Sequence, residues 1–163
     1  MFNTNLCKES NHICLQASFI SKKLQSKNKK KQDRKTILVV EDNKDLQMVA
    51  RLMLETLLYK VVTVSTGREG LKYLHEHSRT ALILLDIMMP EMTGLEFLSI
   101  VKQDLVLKKI PIIIQSALTD ESIQEGMAMG ASGYVQKPYN QETLYAAIKK
   151  LNIKGGGHER IIN

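Results

Sequence analysis

From Thr36 onward, short apolar runs alternate with stretches in which apolar residues recur every three or four positions. Ile37-Leu38-Val39-Val40 is a β-branched run closed by Glu41 and Asp42, the pattern of a strand buried on both faces. Between Asn43 and Leu58, Leu46, Val49, Ala50, Met53 and Leu57 fall at helical spacing and predict a core-facing stripe. Lys60–Val64 reads as a second strand, and Thr66-Gly67 opens a helix carrying Leu71 and Leu74. Ala81–Leu85 is a third apolar strand that runs straight into Asp86. Pro90 and Gly94 punctuate a loop, after which Leu95, Leu98, Ile100 and Val101 mark a third helix. Pro111 introduces a fourth strand, Ile112-Ile113-Ile114, which ends at Gln115-Ser116-Ala117; proline is tolerated at a strand's first position. Asp120 is placed to cap a helix that closes at Gly130. Tyr134-Val135 is a brief fifth strand leading to Lys137-Pro138, and Asn140 caps a last helix with Leu144, Ala147, Ile148 and Leu151 on one face.

Strands and helices alternating five times between 36 and 152 predict the α/β class, with a parallel sheet covered on both faces by right-handed crossovers. The chain shows no internal repeat. Neither G-x-G-x-x-G nor a P-loop follows the first strand, which argues against dinucleotide and nucleoside triphosphate binding. At 163 residues with 44% hydrophobic content, the chain is long enough for one ordinary core. No apolar run approaches the roughly 18 residues of a membrane span.

The net charge of +6 belongs to one end of the chain. Residues 1–35 hold nine Lys/Arg against Glu9 and Asp33, whereas 36–163 hold fourteen against fifteen acids. The folded part is therefore near neutral, and the basic balance does not mark the whole protein as a nucleic-acid binder. Residues 1–35 are expected to form a solvated, disordered arm, with contact to an anionic partner as the second reading. The charge follows a broken apolar stretch instead of preceding an intact one, unlike a secretory signal. Cys7 and Cys14 lie in this arm and suggest no disulfide framework, so a cytoplasmic setting is expected. With His12 they fall short of the four ligands of a structural zinc site. Residues 153–163, with Gly155-Gly156-Gly157, read as a polar tail.

In open α/β sheets, chemistry gathers beyond the carboxyl ends of the strands. There the first strand delivers Glu41 and Asp42, the third Asp86, the fourth Ser116 and the fifth Lys137. Three clustered carboxylates repel one another unless a cation sits among them. A hard divalent ion with oxygen ligands answers this; Mg2+ fits best, with Mn2+ as an alternative, because Mg2+ combines one or two carboxylates with phosphate oxygens. Lys137 can neutralise a phosphoryl oxygen and Ser116 can donate to another. Asp86 then suits attack on phosphorus to give an aspartyl phosphate. Singly, such residues are common as helix caps, turn formers or surface groups. Together, four of five strands end in the types this chemistry needs.

The stretches Ile37–Asn43, Leu84–Gly94, Ser116-Ala117, Gly130-Ala131 and Lys137-Pro138-Tyr139 closely resemble the receiver domain of two-component response regulators, of the chemotaxis-regulator type, over Thr36–Asn152. The resemblance implies a flavodoxin-like fold with strand order 2-1-3-4-5. It implies that Asp86 accepts a phosphoryl group from a histidine kinase or histidine phosphotransfer protein. Glu41 and Asp42 would hold Mg2+ with Asp86 and the backbone carbonyl of Met88. Ser116 would be the switch hydroxyl and Tyr134 the switch aromatic, although Tyr134 also reads as a core-edge strand residue. The face made by the fourth helix, fifth strand and fifth helix would meet a downstream protein target. A Lys-Pro bond in the cis form is usual in the family.

The Glu41-Asp42 pair departs from the commoner Asp-Asp and leaves Asp42 as the direct metal ligand. The resemblance implies that the positions two beyond Asp86 and Ser116 influence how water reaches the acyl phosphate. Here they are Met88 and Leu118, which cannot orient water by hydrogen bonding, so slow self-dephosphorylation is expected. Met88, Met89, Met92, Met127 and Met129 read as packing filler. Two rivals compete with the switch module: a degenerate receiver acting as a protein-interaction scaffold, and an Asp-nucleophile phosphatase. The latter needs a second acid where Met88 stands. Eleven residues follow Asn152, too few for an output domain. The chain is expected to act alone or as a receiver cut from a longer protein such as a hybrid kinase.

Overall fold

The computed structural model describes residues 34–77, 79–117 and 120–153. The strands are β1 (Thr36–Val40), β2 (Lys60–Val64), β3 (Thr80–Asp86), β4 (Ile112–Ser116) and β5 (Gly133–Gln136). The helices are α1 (Lys44–Thr56), α2 (Gly67–Glu76), α3 (Gly94–Gln103), α4 (Asp120–Ala128) and α5 (Gln141–Lys150). A 3-10 turn, Leu107–Lys109, leads into β4. The sheet is parallel throughout, in the order β2-β1-β3-β4-β5. The expected arm lies outside the described residues apart from Arg34 and Lys35, and so does the expected tail beyond Ile153. Among the described residues no helix is long and apolar enough to cross a membrane.

Alternation along the strands sorts the core into two layers. Leu38, Val40, Ile83, Leu85, Ile112 and Ile114 pack with Leu74 of α2 and Phe97, Leu98 and Val101 of α3. Ile37, Val39, Leu82, Leu84, Ile113 and Val135 pack on the other face with Ala50 and Leu54 of α1 and Leu144 and Ile148 of α5. Both faces of β1 and β3 are thus covered, which is why these strands read as unbroken apolar runs.

The α1 stripe differs from its expected register. Leu46 and Val49 are exposed, and the buried residues are Gln47, Ala50 and Leu54. Gln47 takes the inward position because it has partners there: its Nε2 donates to the carbonyls of Glu41 and Val64 and to Ser65 Oγ. That amide stitches the β1–α1 junction to the end of β2. Ile100 of α3 is likewise exposed, while Phe97 fills its place in the core. Of the five methionines expected to pack, Met88 and Met127 are exposed instead.

Helix ends follow local chemistry. Asn43 and Asn140 accept backbone N–H bonds as N-caps of α1 and α5. Asp120, expected as a cap, is the first residue of α4 itself. That helix closes where expected: Gly130 has φ +97°, and Gly130 and Ala131 donate back to Met127 and Gly126. Thr93 and Glu96 form a reciprocal capping box at the start of α3.

That capped end abuts the strand carrying Asp86. A Cβ built on Gly94 would lie 2.1 Å from the backbone oxygen of Asp86 and 2.7 Å from Ile87 Cα. Both are backbone atoms, so a side chain here forces the end of β3 to move. Gly94→Ala is expected to destabilise the fold by about 3 kcal/mol in urea unfolding, the upper range for overpacking. An unchanged unfolding midpoint would refute this close approach.

Candidate functional site

Strand ends bring the predicted residues together. Glu41, one residue past β1, and Asp86, the last of β3, are buried at 1% and 4% exposure, and Asp42 is exposed beside them. One carboxylate oxygen from each of the three lies within 4.8 Å of the others. Lys137 reaches into this cluster from the segment after β5. Its Nζ lies 2.6 Å from Glu41 Oε2 and 3.1 Å from Asp86 Oδ2. The Lys137–Pro138 bond is cis, as the resemblance implies. Ser116 is fully buried at the end of β4, and its carbonyl accepts the backbone N–H of Lys137 at 2.8 Å. This bond ties the two positions expected to read a phosphoryl group.

Three carboxylates face one ammonium, leaving an excess of negative charge in a cluster of which Asp42 is the exposed acid. Burial is the main reason the Glu41 carboxyl lies above its ordinary value of 4.5; Asp86 adds to the rise, while the bond from Lys137 opposes it. An oxygen-only donor set with unbalanced negative charge fits a hard divalent cation. The folded chain holds the Glu41 proton more tightly than the unfolded chain does. Stability from this group is therefore lost as pH rises from 4.5 through the raised folded value. A bound cation offsets the same charge. Mg2+ at a hundred times its dissociation constant is accordingly expected to stabilise the fold by about 2.7 kcal/mol. The rise in melting temperature should be larger at pH 7.5 than at pH 5 and absent in Asp42→Asn. A rise independent of pH and of Asp42 would contradict this account.

Tyr134 stands on β5, the edge strand of the sheet, with 53% exposure. The Met88 side chain, at 60% exposure, extends away from the core just past β3, and Leu118 lies outside the described residues. Two residues that were not singled out also reach the pocket. Gln115 Nε2 donates to Glu41 Oε2 at 2.9 Å, and the Tyr139 hydroxyl donates to Gln115 Oε1. The sequence offers one signal for Gln115, a glutamine directly after the apolar run Ile112-Ile113-Ile114; the structure pairs it in register with Asp86. Tyr139 had none beyond its place after Lys137-Pro138.

A model of the response regulator receiver domain matches residues 37–149. The polar-differentiation response regulator DivK of Brucella anthropi is 34% identical over 119 residues, 71% of this chain and 94% of that protein. Histidine kinase P4 of Formosa agariphila is 32% identical over 120 residues, 73% of this chain but 9% of the kinase. The chain also spans about half the length of the transcriptional regulators it matches, 49% and 44% for two of them. The solved structure of the chemotaxis response regulator CheY4 of Vibrio cholerae superposes with a TM-score of 0.68 at 34% identity, covering 72% of this chain and 98% of that one. A parallel sheet in the order 2-1-3-4-5, acids at the strand ends and these likenesses agree: the chain belongs to the response regulator receiver domain family.

Proposed function

We propose that this receiver accepts a phosphoryl group on Asp86 from a phosphohistidine donor, a histidine kinase or histidine phosphotransfer protein, and that the modified form changes which protein it binds. An Asp86 carboxylate oxygen attacks phosphorus, and an O–P bond forms as the P–N bond to the donor imidazole breaks. The electron pair returns to the ring nitrogen, and the product is an acyl phosphate. Glu41, Asp42, Asp86 and the Met88 carbonyl would hold Mg2+, which supplies positive charge to the phosphoryl oxygens as they transfer. Lys137 supplies the second positive charge, and Ser116 donates to the phosphoryl group once it has arrived. Tyr134 would then turn inward, reshaping the face of α4, β5 and α5 and shifting the population toward a form that a downstream protein prefers. The domain works as a switch and not as a turnover enzyme.

The observation that carries this reading is the convergence of Lys137 with both Glu41 and Asp86 at one set of strand ends. Its test is incubation with phosphoramidate and Mg2+, followed by intact-mass measurement, borohydride reduction of the acyl phosphate and fragmentation. One phosphoryl group, mapping to residue 86 and dependent on Mg2+, is expected; a label on another residue would end the proposal. A phosphatase with Asp86 as nucleophile lacks its second acid, because Met88 stands there with an exposed thioether.

The lifetime of the phosphoprotein follows from the same positions. With no hydrogen-bonding group at Met88 or Leu118 to orient water, the acyl phosphate should persist for minutes or longer. Met88→Asn should shorten its half-life by about tenfold, a change of about 1.4 kcal/mol in barrier. The decay of the phosphorylated mass after donor removal measures both, and a parent lifetime of seconds would contradict this expectation.

A further inference from the structure

Gln115 and Tyr139 take no part in the chemistry set out above, yet together they reach its acidic pocket. Gln115 is 1% exposed and lies beside Asp86 in the β3–β4 register. Strand alternation puts it on the face of Ile113, opposite to Ser116. β3 separates β4 from β1 in the sheet, so the bond from Gln115 Nε2 to Glu41 Oε2 (2.9 Å) crosses the strand that ends in Asp86. It meets the same carboxylate oxygen that receives Lys137 Nζ at 2.6 Å. The other end of the Gln115 amide accepts from the Tyr139 hydroxyl.

An amide presents a donor at one end and an acceptor at the other, and its neighbours decide which way it points. Burial and the Glu41 and Asp86 carboxylates hold the Tyr139 phenol well above its ordinary value of 10.0, so it stays protonated and donates. The Gln115 carbonyl must then face Tyr139, which turns its NH2 toward Glu41. A reversed amide would set a carbonyl oxygen against a carboxylate oxygen and leave the phenol without an acceptor.

We propose that Tyr139 and Gln115 form a positioning relay that fixes the orientation of the Glu41 carboxylate within the acidic cluster and so sets the affinity of the pocket for a divalent cation. The relay rests on the metal-site reading of Glu41, Asp42 and Asp86 given above. Glu41 has a longer, freer side chain than an aspartate, and β1 alone does not hold its oxygens in place. Donors from β4 and from the β5–α5 segment meet one of them, beside the local backbone N–H of Asn43. Groups that orient a metal ligand in this way typically change metal affinity by ten- to a hundredfold when removed.

The test is calorimetric titration of MgCl2, without phosphodonor, into the full chain and its Gln115→Leu, Tyr139→Phe and Asp42→Asn variants. Phosphoramidate labelling is then measured across Mg2+ concentrations. Gln115→Leu should weaken Mg2+ binding by about tenfold, and Tyr139→Phe, which keeps the ring and removes only the hydroxyl, by about threefold to tenfold. In both, the labelling rate at saturating Mg2+ should stay within about twofold of the parent, because the groups that meet the phosphoryl oxygens are untouched. Should Gln115→Leu fail to fold, Tyr139→Phe decides the matter alone. Unchanged Mg2+ affinity in the folded variants, alongside a loss in Asp42→Asn, would overturn the relay. So would a lowered saturating rate with no change in half-saturating Mg2+. An Asp42→Asn chain that binds Mg2+ as tightly as the parent would instead overturn the metal-site reading and the relay with it.

Discussion

An Asp86→Asn chain is expected to take up no phosphoryl group from phosphoramidate and, in metal-free buffer, to be more stable than its parent. The first effect is chemical. An amide oxygen is a poor nucleophile because its lone pairs are not backed by a full negative charge, and no other described acid shares the Lys137 ammonium except Glu41, which follows β1 instead of ending β3. The second effect is electrostatic. Asp86 contributes to the rise of the Glu41 carboxyl, so the two charges repel across the buried pocket. Removing one relieves that repulsion, on the order of 4 kcal/mol for charges about 4 Å apart screened as near a protein surface, and the lost attraction to Lys137 cancels part of it. Mg2+ should then stabilise the variant less than the parent, since one ligand charge is gone. Labelling of the variant, or a metal-free melting temperature below the parent's, would count against the site as described.

Lys137→Ala should lower the rate of phosphoryl uptake by about a hundredfold to a thousandfold at saturating Mg2+, the usual loss when a preorganised charge-stabilising group is removed. Both salt bridges among the described residues end on this ammonium. Without it, Glu41 and Asp86 face each other with no positive side chain between them. Two readouts should therefore move in opposite directions: the labelling rate falls, while Mg2+ affinity rises because the pocket is more negative. A collapse of the site would lower both, so the pair of measurements separates lost chemistry from lost structure. Lys137→Arg should not restore the rate, because a planar guanidinium is larger than the compact ammonium and directs its donors in a fixed fork. A rate within a factor of two of the parent in Lys137→Ala would refute this role.

Much of the fold was legible because its strands are apolar on both faces and its turns carry glycine or proline. Ile37–Val40 and Leu82–Leu85 admit few other readings, and Gly130 ends α4 as its φ requires. The acids of the candidate site were legible for a related reason: a carboxylate directly after such a run has nowhere to be except the sheet's carboxyl edge. Side chains whose place depends on partners from distant segments were not. Gln47 displaced Leu46 and Val49 from the inner face of α1 because three acceptors wait there, two of them at the end of β2. Gln115 and Tyr139 escaped for the same reason, since the oxygen that gives them purpose belongs to Glu41, 74 positions before Gln115. Periodicity records where apolar surface goes; it does not record where an amide finds an acceptor.

Where the backbone enters and leaves the sheet has a practical consequence. Lys35 accepts the N–H of Lys60 at the start of β2, and the neighbouring Tyr59 donates its hydroxyl to the carbonyl of Ile153 at 2.8 Å. Both junctions therefore sit at the amino ends of the strands, a full strand length from Asp86. Attaching the domain to a surface or a host protein through Lys35 or Ile153 should leave the acidic crevice open to solution and Asp86 unshielded.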